Sequence, residues 1–488
     1  MNMSTTETAS SPLQQWALPS CENRPRGSAV YPLISPATQQ PFASIPDCDA
    51  AEAALFADQS AAAFEHWKHT TAYARSHLLR KWFDRIVECA DEIAKAISDE
   101  MGKPISEARG EVMYAAEFAQ WYAEEAKRLY GETFSSQHEH KRLYAIRQPV
   151  GPVYAVTPWN FPAAMITRKV APALAAGCTV IVKPAEQSPL TALLLERYWL
   201  DVGGPTGTFQ VITSNQPAVV SNQFFADARI RKLTFTGSTE VGILLYRQSA
   251  ETMKRVSLEL GGHAPFIVFA DADIERAADE IMACKFRNAG QTCVCTNRIY
   301  AHTSISERLI KALAQRIRAL NVGDPGDPAT QIGPLVDEQG LSKVKGHVDD
   351  AVARGARVVV GGNALGGLFF APTLLSGVAP GMRILEEETF GPVAPVLTFD
   401  TVDEVIAAAN DTPFGLAAYV WTKDLDTAHR VSERLAYGIV GINDGAPSTA
   451  QAPFGGVKLS GIGREGGVWG IQEYLDTKFI SVGLAPRV

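Results

Sequence analysis

Short apolar runs alternate with helical segments through most of this chain, and this alternation limits the fold more than any other feature. The run Val153–Val156 and those at 179–182 and 232–235 predict strands. The segment 189–200, which lies between two of these runs, predicts a helix. Strands and helices that alternate in this way build a parallel sheet covered on both faces, so the sequence predicts an α/β fold.

A second series of the same units begins after Glu259, with strands predicted at 266–269 and 298–302 and a helix at 273–288. The residues 259–262 between the two series are therefore predicted to be a hinge between two α/β domains. Further helices are predicted at 50–67 and 77–95, because apolar residues recur there at three- and four-residue intervals. Strands are also predicted at 141–148 and, as a lone element, at 479–482.

Composition excludes several classes of protein. The chain has 488 residues and a net charge of −8, which argues against a nucleic-acid-binding surface. No apolar run approaches the roughly 18 residues that a membrane span needs. The first 15 residues are polar and predict a disordered tail rather than a secretory signal. The cysteine count is odd and the spacing scattered, which favours a reducing cytoplasm without a disulfide framework or a metal site. The seven cysteines are Cys21, Cys48, Cys89, Cys178, Cys284, Cys293 and Cys295.

Four short segments carry residue types that covalent catalysis needs. They read TPWNFP at 157–162, LELGG at 258–262, GQTCVC at 290–295 and ETFGP at 388–392. In this order and at these separations they resemble the aldehyde dehydrogenase superfamily, and the resemblance covers residues 32–483. It implies the aldehyde dehydrogenase fold, with a Rossmann-like NAD(P)-binding domain, an α/β catalytic domain and a small β element for oligomerisation. The expected ranges are 16–130 and 148–258 for the first domain, 259–469 for the second, and 131–147 with 470–488 for the β element.

Covalent oxidation of an aldehyde needs a nucleophile, a hydrogen-bond donor for the oxyanion and a base. The resemblance gives these roles to Cys293, Asn160 and Glu259, and basic residues just upstream of Cys293 predict an activated thiolate. Burial of Glu259 between two leucines and two glycines would raise its pKa, as a base that works near neutrality requires. Each residue also has a plainer interpretation. Cys293 would be a buried apolar side chain, Asn160 the cap of the helix that follows it, and Glu259 a solvated hinge carboxylate.

The segment FTGSTEVG at 235–242 predicts the pyrophosphate site of a cofactor. A strand-to-helix turn brings backbone N–H groups to a phosphate, although the glycine spacing here is not the dinucleotide fingerprint. The resemblance implies NAD or NADP as cofactor. NAD is favoured over NADP. The carboxylate of Glu186 would accept hydrogen bonds from the ribose hydroxyls and would repel a 2′-phosphate, and Lys183 would offset only part of that repulsion. The expected cofactor contacts are Trp159, Lys183, Glu186, Gly237, Ser238, Gly242, Glu388 and Phe390.

Two arginines indicate the substrate class. Arg168 lies two helical turns after Asn160 and Arg287 lies six residues before Cys293. The contexts ITRK at 166–169 and KFRN at 285–288 resemble the succinate-semialdehyde dehydrogenases, and two guanidinium groups would bind a distal carboxylate. The resemblance adds Ser448 and Phe454 as substrate contacts. The loop GAPSTA at 445–450 departs from the subfamily, so glutarate semialdehyde, 2-oxoglutarate semialdehyde and a sulfonated aldehyde stay open.

Other functions are less well supported by the sequence. A CoA-acylating enzyme does not need the base that Glu259 supplies, and a silent binding protein does not need Cys293, Asn160 and Glu259 together. Oxidation of an uncharged or aromatic aldehyde remains open within the same superfamily. Cys295 is predicted either to form a reversible disulfide with Cys293 or to fill a small buried site. The expected partner is a small aldehyde, and the enzyme is expected to be a cytoplasmic homodimer or homotetramer.

Overall fold

The computed structural model describes residues 29–485, so the tail predicted at 1–15 lies outside the described residues. The N-terminal part is mainly helical, as the apolar spacing predicts, and α1 has the predicted limits. Its elements are β1 (Ala29–Ile34), β2 (Pro41–Asp47), α1 (Ala50–Trp67), α2 (Ala72–Glu88), α3 (Ala90–Met101), α4 (Ile105–Glu125), β3 (Glu132–Phe134) and β4 (Lys141–Pro149).

The single helix predicted at 77–95 is wrong, because the chain forms two helices that meet at Cys89. The Cys89 backbone leaves helical geometry, at φ −99° and ψ 21°, and its N–H closes α2 by donating to the carbonyl of Arg85. Apolar residues keep a helical spacing on both sides of this break. Both helices pack into one core, so the break costs little apolar burial.

A six-stranded sheet forms the first α/β unit, and five of its strands are parallel. The strand order places β5 between β6 and β8, so the chain leaves β5 first to one side and later to the other. Such a switch point opens a crevice at the carboxyl ends of the strands, where ligands of α/β proteins bind. The elements are β5 (Val153–Val156), α5 (Ala164–Ala176), β6 (Val180–Lys183), α6 (Pro189–Asp201), β7 (Phe209–Val211), α7 (Pro217–Ala226), β8 (Lys232–Thr236), α8 (Thr239–Ala250) and β9 (Arg255–Glu259).

A seven-stranded sheet forms the second unit, parallel except for its edge strand β12. Only four residues, 260–263, separate β9 of the first sheet from β10 of the second, and they overlap the hinge predicted at 259–262, whose role as a hinge stays a prediction. The elements are β10 (Ala264–Val268), α9 (Ile274–Phe286), β11 (Thr296–His302), α10 (Ser306–Arg318), α11 (Glu338–Ala353), β12 (Arg357–Val360), β13 (Ala364–Gly366), β14 (Phe369–Phe370), β15 (Thr373–Ser376), α12 (Arg383–Glu386), β16 (Val393–Phe399), α13 (Val402–Asn410), β17 (Ala417–Trp421), α14 (Leu425–Arg434) and β18 (Ile439–Ile442).

The C-terminal segment returns to the first unit. It contains β19 (Gly461–Ile462), α15 (Gly467–Gln472) and β20 (Leu475–Gly483), and β19 pairs antiparallel with β9. The strand predicted at 479–482 is longer than expected and is not alone. Its nine residues pair with β4, from Leu475 opposite Pro149 to Gly483 opposite Lys141, and β3 completes a three-stranded sheet. The predicted domain limits and the use of this sheet in oligomerisation stay predictions.

Candidate active site at the junction of two cavities

Cys293 lies where two cavities meet. A cavity of about 310 Å³ approaches it from the crevice of the first sheet, between the loop after β5 and the turn after β8. A cavity of about 120 Å³ approaches it from the other side, lined by Arg168, Arg287, Ser448 and Phe454. The side chains of Cys293 and Met165 line both. The sulfur is therefore within reach of two different ligands at once.

A left-handed turn sets the position of Cys293. Helix α9 ends at Phe286, so the prediction of a helix to residue 288 is wrong by two residues. Asn288, Ala289 and Gly290 follow with φ of 52°, 53° and 74°. A non-glycine residue in this region costs roughly 1–2 kcal/mol, so tertiary contacts must hold the turn. Its strain is offset by hydrogen bonds from the Asn288 backbone N–H to Glu107, at 2.7 Å, and from its side-chain amide to the Asn160 carbonyl, at 3.0 Å.

Asn160 faces the larger cavity and does not cap a helix. Its side-chain amide donates to the carbonyl of Gln291 at 3.0 Å, two residues before Cys293. A carboxamide has two N–H donors, so the second remains for a ligand. Helix α5 begins only at Ala164, and its first amides donate to Glu111 instead. The interpretation of Asn160 as a helix cap is therefore wrong.

A buried ion pair that the sequence analysis missed fixes the Asn160 loop. Lys103 and Glu111 are paired, and each side chain is only 1% exposed. The Lys103 ammonium also donates to the Asn160 carbonyl at 2.8 Å and lies 3.8 Å from the centroid of the Phe161 ring. Two carboxylates one helical turn apart on α4 accept backbone N–H groups of the site. Glu107 accepts from the turn before Cys293, and Glu111 accepts from the start of α5.

The Cys293 thiol is not the low-pKa thiolate that the sequence predicted. Burial raises its pKa to about 12, and Arg168 and Arg287 lower it only in part. Glu388 and Glu259 oppose the two arginines, because their negative charges also disfavour the thiolate. The basic residues next to Cys293 in sequence therefore do not decide its charge, and a base must take its proton.

Glu259 ends β9 and is 4% exposed. Burial raises its pKa well above the ordinary value, as predicted, and the nearby Glu465 raises it further. One carboxylate oxygen, Oε2, is buried without a hydrogen-bond partner, while Oε1 lies against Gly455, where an added Cβ would come within 2.8 Å. The interpretation of Glu259 as a solvated carboxylate is wrong. Its role as base stays a prediction, because its side chain does not line either cavity in the described structure.

The larger cavity fits a nicotinamide cofactor. Trp159 and Phe390 face it with their rings 5.5 Å apart and nearly perpendicular. Glu388 also lines this cavity, accepts the N–H of Gly262 at 3.1 Å, and has a pKa that burial raises to about 7. Gly261 allows the close approach of this side chain, because a Cβ there would lie 3.0 Å from the Glu388 carboxylate. The same cavity is lined by Cys293.

The proposed pyrophosphate turn is present, but its glycines act differently from the prediction. The N–H of Gly237 donates to the Glu259 carbonyl and that of Gly242 to the Ser238 carbonyl, so neither is free for a phosphate. Gly242 instead allows α8 to pack closely, since a Cβ there would come within 2.3 Å of Leu260. The Ser238 side chain caps α8 by accepting the N–H of Val241. The N–H groups of Thr239 and Glu240, at the start of the helix beside the cavity, have no intrahelical acceptor.

Lys183 ends β6 and Glu186 follows it, at the carboxyl edge of the first sheet. They form an ion pair with each other, in which Lys183 is buried and Glu186 is partly exposed. The Lys183 ammonium also donates to the carbonyl of Pro184 at 3.0 Å. Their predicted contact with the adenosine ribose stays a prediction.

The smaller cavity brings the predicted substrate residues together. Arg168 is 2% exposed, and its guanidinium lies 4.1 Å from the ring centroid of Phe454 and 3.6 Å from a carboxylate oxygen of Glu465. Arg287 is half-buried and stacks on Phe161 at 5.3 Å. Within residues 29–485, no hydrogen bond or ion pair engages the Arg287 guanidinium, whose Nε is buried. Two positive charges therefore face this cavity. The charge of Arg168 is partly compensated by Glu465, whereas that of Arg287 has no ion-pair partner within residues 29–485.

Cys295 is 1% exposed and has a partner of its own. Its sulfur accepts a hydrogen bond from the buried ammonium of Lys285 at 3.3 Å, and its backbone N–H donates to the carbonyl of Thr292. Both Cys293 and Cys295 are free thiols in the structure. These contacts suit a thiol that fills a small buried site, and a reversible disulfide with Cys293 stays a prediction.

The described residues, 29–485, contain no helix long and apolar enough to cross a membrane. Over the same range no three or more His, Cys, Asp or Glu residues are grouped so as to hold a metal ion.

Comparison with known proteins identifies the family. The model of the aldehyde dehydrogenase family matches residues 24–480. The chain is 49% identical to succinate-semialdehyde dehydrogenase [NADP(+)] of Escherichia coli, over 93% of this chain and 94% of the relative. It is 47% identical to 3-sulfolactaldehyde dehydrogenase of Pseudomonas putida, over 94% of each. A crystal structure of an aldehyde dehydrogenase from Brucella melitensis biovar abortus superposes with a TM-score of 0.93, at 51% identity over 94% of this chain and 95% of that one. The chain belongs to the aldehyde dehydrogenase family and is an NAD(P)-dependent aldehyde oxidoreductase.

Proposed function

We propose that this enzyme oxidises an aldehyde with a negatively charged group at its far end, such as succinate semialdehyde, to the carboxylic acid. The observation that carries the proposal is the smaller cavity, in which Arg168 and Arg287 face the side of Cys293 opposite to the cofactor cavity. Cationic side chains at the end of a cavity of about 120 Å³ favour a short substrate with a distal anion. The name of the Escherichia coli relative supports this substrate class.

The covalent route begins at Cys293. Its thiol passes its proton to a water molecule that acts as base, and the sulfur then adds to the aldehyde carbon, which forms a thiohemiacetal oxyanion. The free N–H of the Asn160 side chain and the backbone N–H of Cys293 donate to the developing oxyanion. The hydrogen bond from Asn160 to the Gln291 carbonyl and the contacts of Lys103 with the loop hold this donor in place.

The cofactor, when bound, supplies an acceptor for the hydride of the thiohemiacetal, which leaves a thioester on Cys293. Trp159, Glu388 and Phe390 would hold its nicotinamide end, and the first turn of α8 its phosphates. Glu259 then acts as base toward the water that hydrolyses the thioester, and the acid leaves with Cys293 restored as a thiol. A raised pKa makes the Glu259 carboxylate a good proton acceptor once it is ionised.

The choice between NAD and NADP is part of the proposal. The sequence favours NAD, but the Escherichia coli relative is a succinate-semialdehyde dehydrogenase [NADP(+)], which does not support that preference. Because Lys183 and Glu186 are paired, a 2′-phosphate competes with the Glu186 carboxylate for the same ammonium. We therefore expect both cofactors to be used and Glu186→Gln to raise kcat/KM for NADP relative to NAD. An unchanged ratio in the variant would remove Glu186 from cofactor selection.

The substrate test compares charge at equal length. Wild-type enzyme should oxidise succinate semialdehyde with a kcat/KM far above that for butanal, and Arg287→Ala should reduce the first value at least tenfold and the second far less. Arg308→Ala removes an exposed arginine on α10 and serves as the control, with no expected effect. Equal losses on both aldehydes in Arg287→Ala would contradict an anion pocket and favour an uncharged substrate.

The same panel separates the other anionic substrates. Glutarate semialdehyde adds one methylene, 2-oxoglutarate semialdehyde adds an oxo group, and a sulfonated aldehyde replaces the carboxylate. The name of the Pseudomonas putida relative supports including the last.

A cytoplasmic homodimer or homotetramer remains our expectation, and the native mass in solution decides between these two assemblies.

A further inference from the structure

Tyr114, which no motif of the sequence singles out, lies at the centre of the polar end of the smaller cavity. Its hydroxyl is 2.5 Å from the Nη2 of Arg168 and 2.6 Å from the Oγ of Ser448. The ring packs edge-on against Phe118 with the centroids 5.1 Å apart, which fixes the direction of the hydroxyl. Tyr114 therefore joins a residue of α5 to a residue of the loop after β18, and all three line the cavity.

Donor chemistry fixes the direction of one of these hydrogen bonds. A guanidinium donates only, so the Tyr114 oxygen accepts from Arg168. The hydroxyls of Tyr114 and Ser448 share one hydrogen bond, in which either oxygen can be the donor, and the Ser448 oxygen also accepts a weaker hydrogen bond from Arg168 at 3.5 Å. When Tyr114 is the donor, Ser448 keeps its own hydrogen. Residues 29–485 offer that hydrogen no other partner, so it is then available to a ligand in the cavity.

We propose that Tyr114 is a positioning residue for substrate specificity, which turns Ser448 into an oriented donor for the distal anion of the substrate. This inference rests on the proposed function and deepens it. A carboxylate or sulfonate accepts hydrogen bonds and cannot donate them, so it matches a donor whose direction is already set. An aldehyde with an apolar end gains nothing from that donor.

The two arginines therefore act on the substrate in different ways. Arg168 gives one N–H to Tyr114 and lies 3.6 Å from Glu465, so part of its charge is compensated inside the protein. It acts on the substrate mainly through Tyr114 and Ser448. Arg287 has no such partner in the described part of the chain and meets the anion directly.

The test uses Tyr114→Phe, which removes one oxygen and keeps the packed ring. We expect KM for succinate semialdehyde to rise about tenfold with kcat nearly unchanged, and both constants for butanal to stay as in wild type. Tyr73→Phe is the matched control, because Tyr73 is 74% exposed and lines neither cavity. A purely structural role for Tyr114 would change the constants for both aldehydes alike, and that result overturns the proposal.

The double variant Tyr114→Phe/Ser448→Ala tests the route of the effect. If Tyr114 acts through Ser448, adding Tyr114→Phe to Ser448→Ala should change KM less than twofold. A further tenfold rise in the double variant would overturn the proposal, because Tyr114 would then act independently of Ser448. Wild-type enzyme without preference for an anionic aldehyde would overturn the proposed function itself. A wild-type preference that Tyr114→Phe leaves intact would overturn this inference alone.

Discussion

The Lys103–Glu111 ion pair is predicted to support both the fold and the catalytic loop, and Lys103→Met separates the two effects. Both side chains are 1% exposed, so the substitution leaves the Glu111 carboxylate buried without its cation. Removal of one partner of a buried pair typically costs about 3–5 kcal/mol. Two helix amides still donate to Glu111, at 2.9 and 3.3 Å, and they favour the lower end of that range, about 3 kcal/mol.

The expected effect on turnover follows from the Asn160 loop. Lys103→Met removes the ammonium that binds the Asn160 carbonyl, but the side-chain amide of Asn288 still donates to the same oxygen at 3.0 Å. Complete loss of an oxyanion donor typically lowers kcat by 10²–10³. Asn160 keeps two of its three hydrogen bonds, those with Asn288 and Gln291, so displacement of this donor should cost less than its loss. We therefore expect a fall in kcat of about tenfold.

Stability and activity are then measured on the same variants, by urea unfolding and by steady-state formation of NAD(P)H. The variant Lys103→Met/Glu111→Leu removes both buried charges and should recover part of the lost stability, because apolar replacement of a buried pair is often neutral or favourable. Its kcat should remain low. Lys68→Met breaks a surface pair and should change neither quantity noticeably. A double variant that regains wild-type kcat, or Lys103→Met with wild-type kcat, would refute the positioning of Asn160.

Three further predictions follow from the residues around Cys293. Cys293→Ala should abolish NAD(P)H formation with an unchanged circular dichroism spectrum, and retained activity would end the covalent mechanism. Because Glu259 has a raised pKa and acts when ionised, kcat should fall as pH drops through that raised pKa, and Glu259→Gln should be slow and lose this pH step. After treatment with peroxide, the intact mass of the wild-type protein should fall by two hydrogens, and its activity should recover in dithiothreitol. Cys295→Ala should instead over-oxidise and stay inactive. Absence of a Cys293–Cys295 disulfide in the wild type would contradict the redox role.

Several strands of both sheets are predictable from the sequence because apolar runs and the spacing between them are local signals. The prediction for Val153–Val156 matches the structure, and that for β6 differs by one residue at each end. The errors occur where distant contacts set a boundary. The helix predicted to reach residue 288 ends at Phe286, because Glu107 and the Asn160 carbonyl stabilise a left-handed turn that no local pattern indicates.

The motifs predict the residues that line the site, but not those that hold them. Glu107, Glu111 and Tyr114 lie on α4, before the first motif, at the four- and three-residue spacing of one helix face. A charged residue on a helix is usually solvated, so their sequence suggests an ordinary exposed face. The sequence carries only a weak signal that some of these charges are buried. Charged residues of α4 alternate with alanines that pack into the core, so some of the charged side chains lie on the buried face of the helix.

The charge of Cys293 shows why sequence neighbours are a poor guide to reactivity. Lysine and arginine precede it in the chain, yet the groups that surround the sulfur in space are two arginines and two glutamates, whose effects on the pKa oppose each other. Burial then decides in favour of the neutral thiol. A positive charge that enters the larger cavity beside the sulfur would lower this pKa, and an oxidised nicotinamide ring carries such a charge. The site therefore favours a neutral thiol when the cofactor cavity is empty and a more nucleophilic sulfur when that cavity is filled.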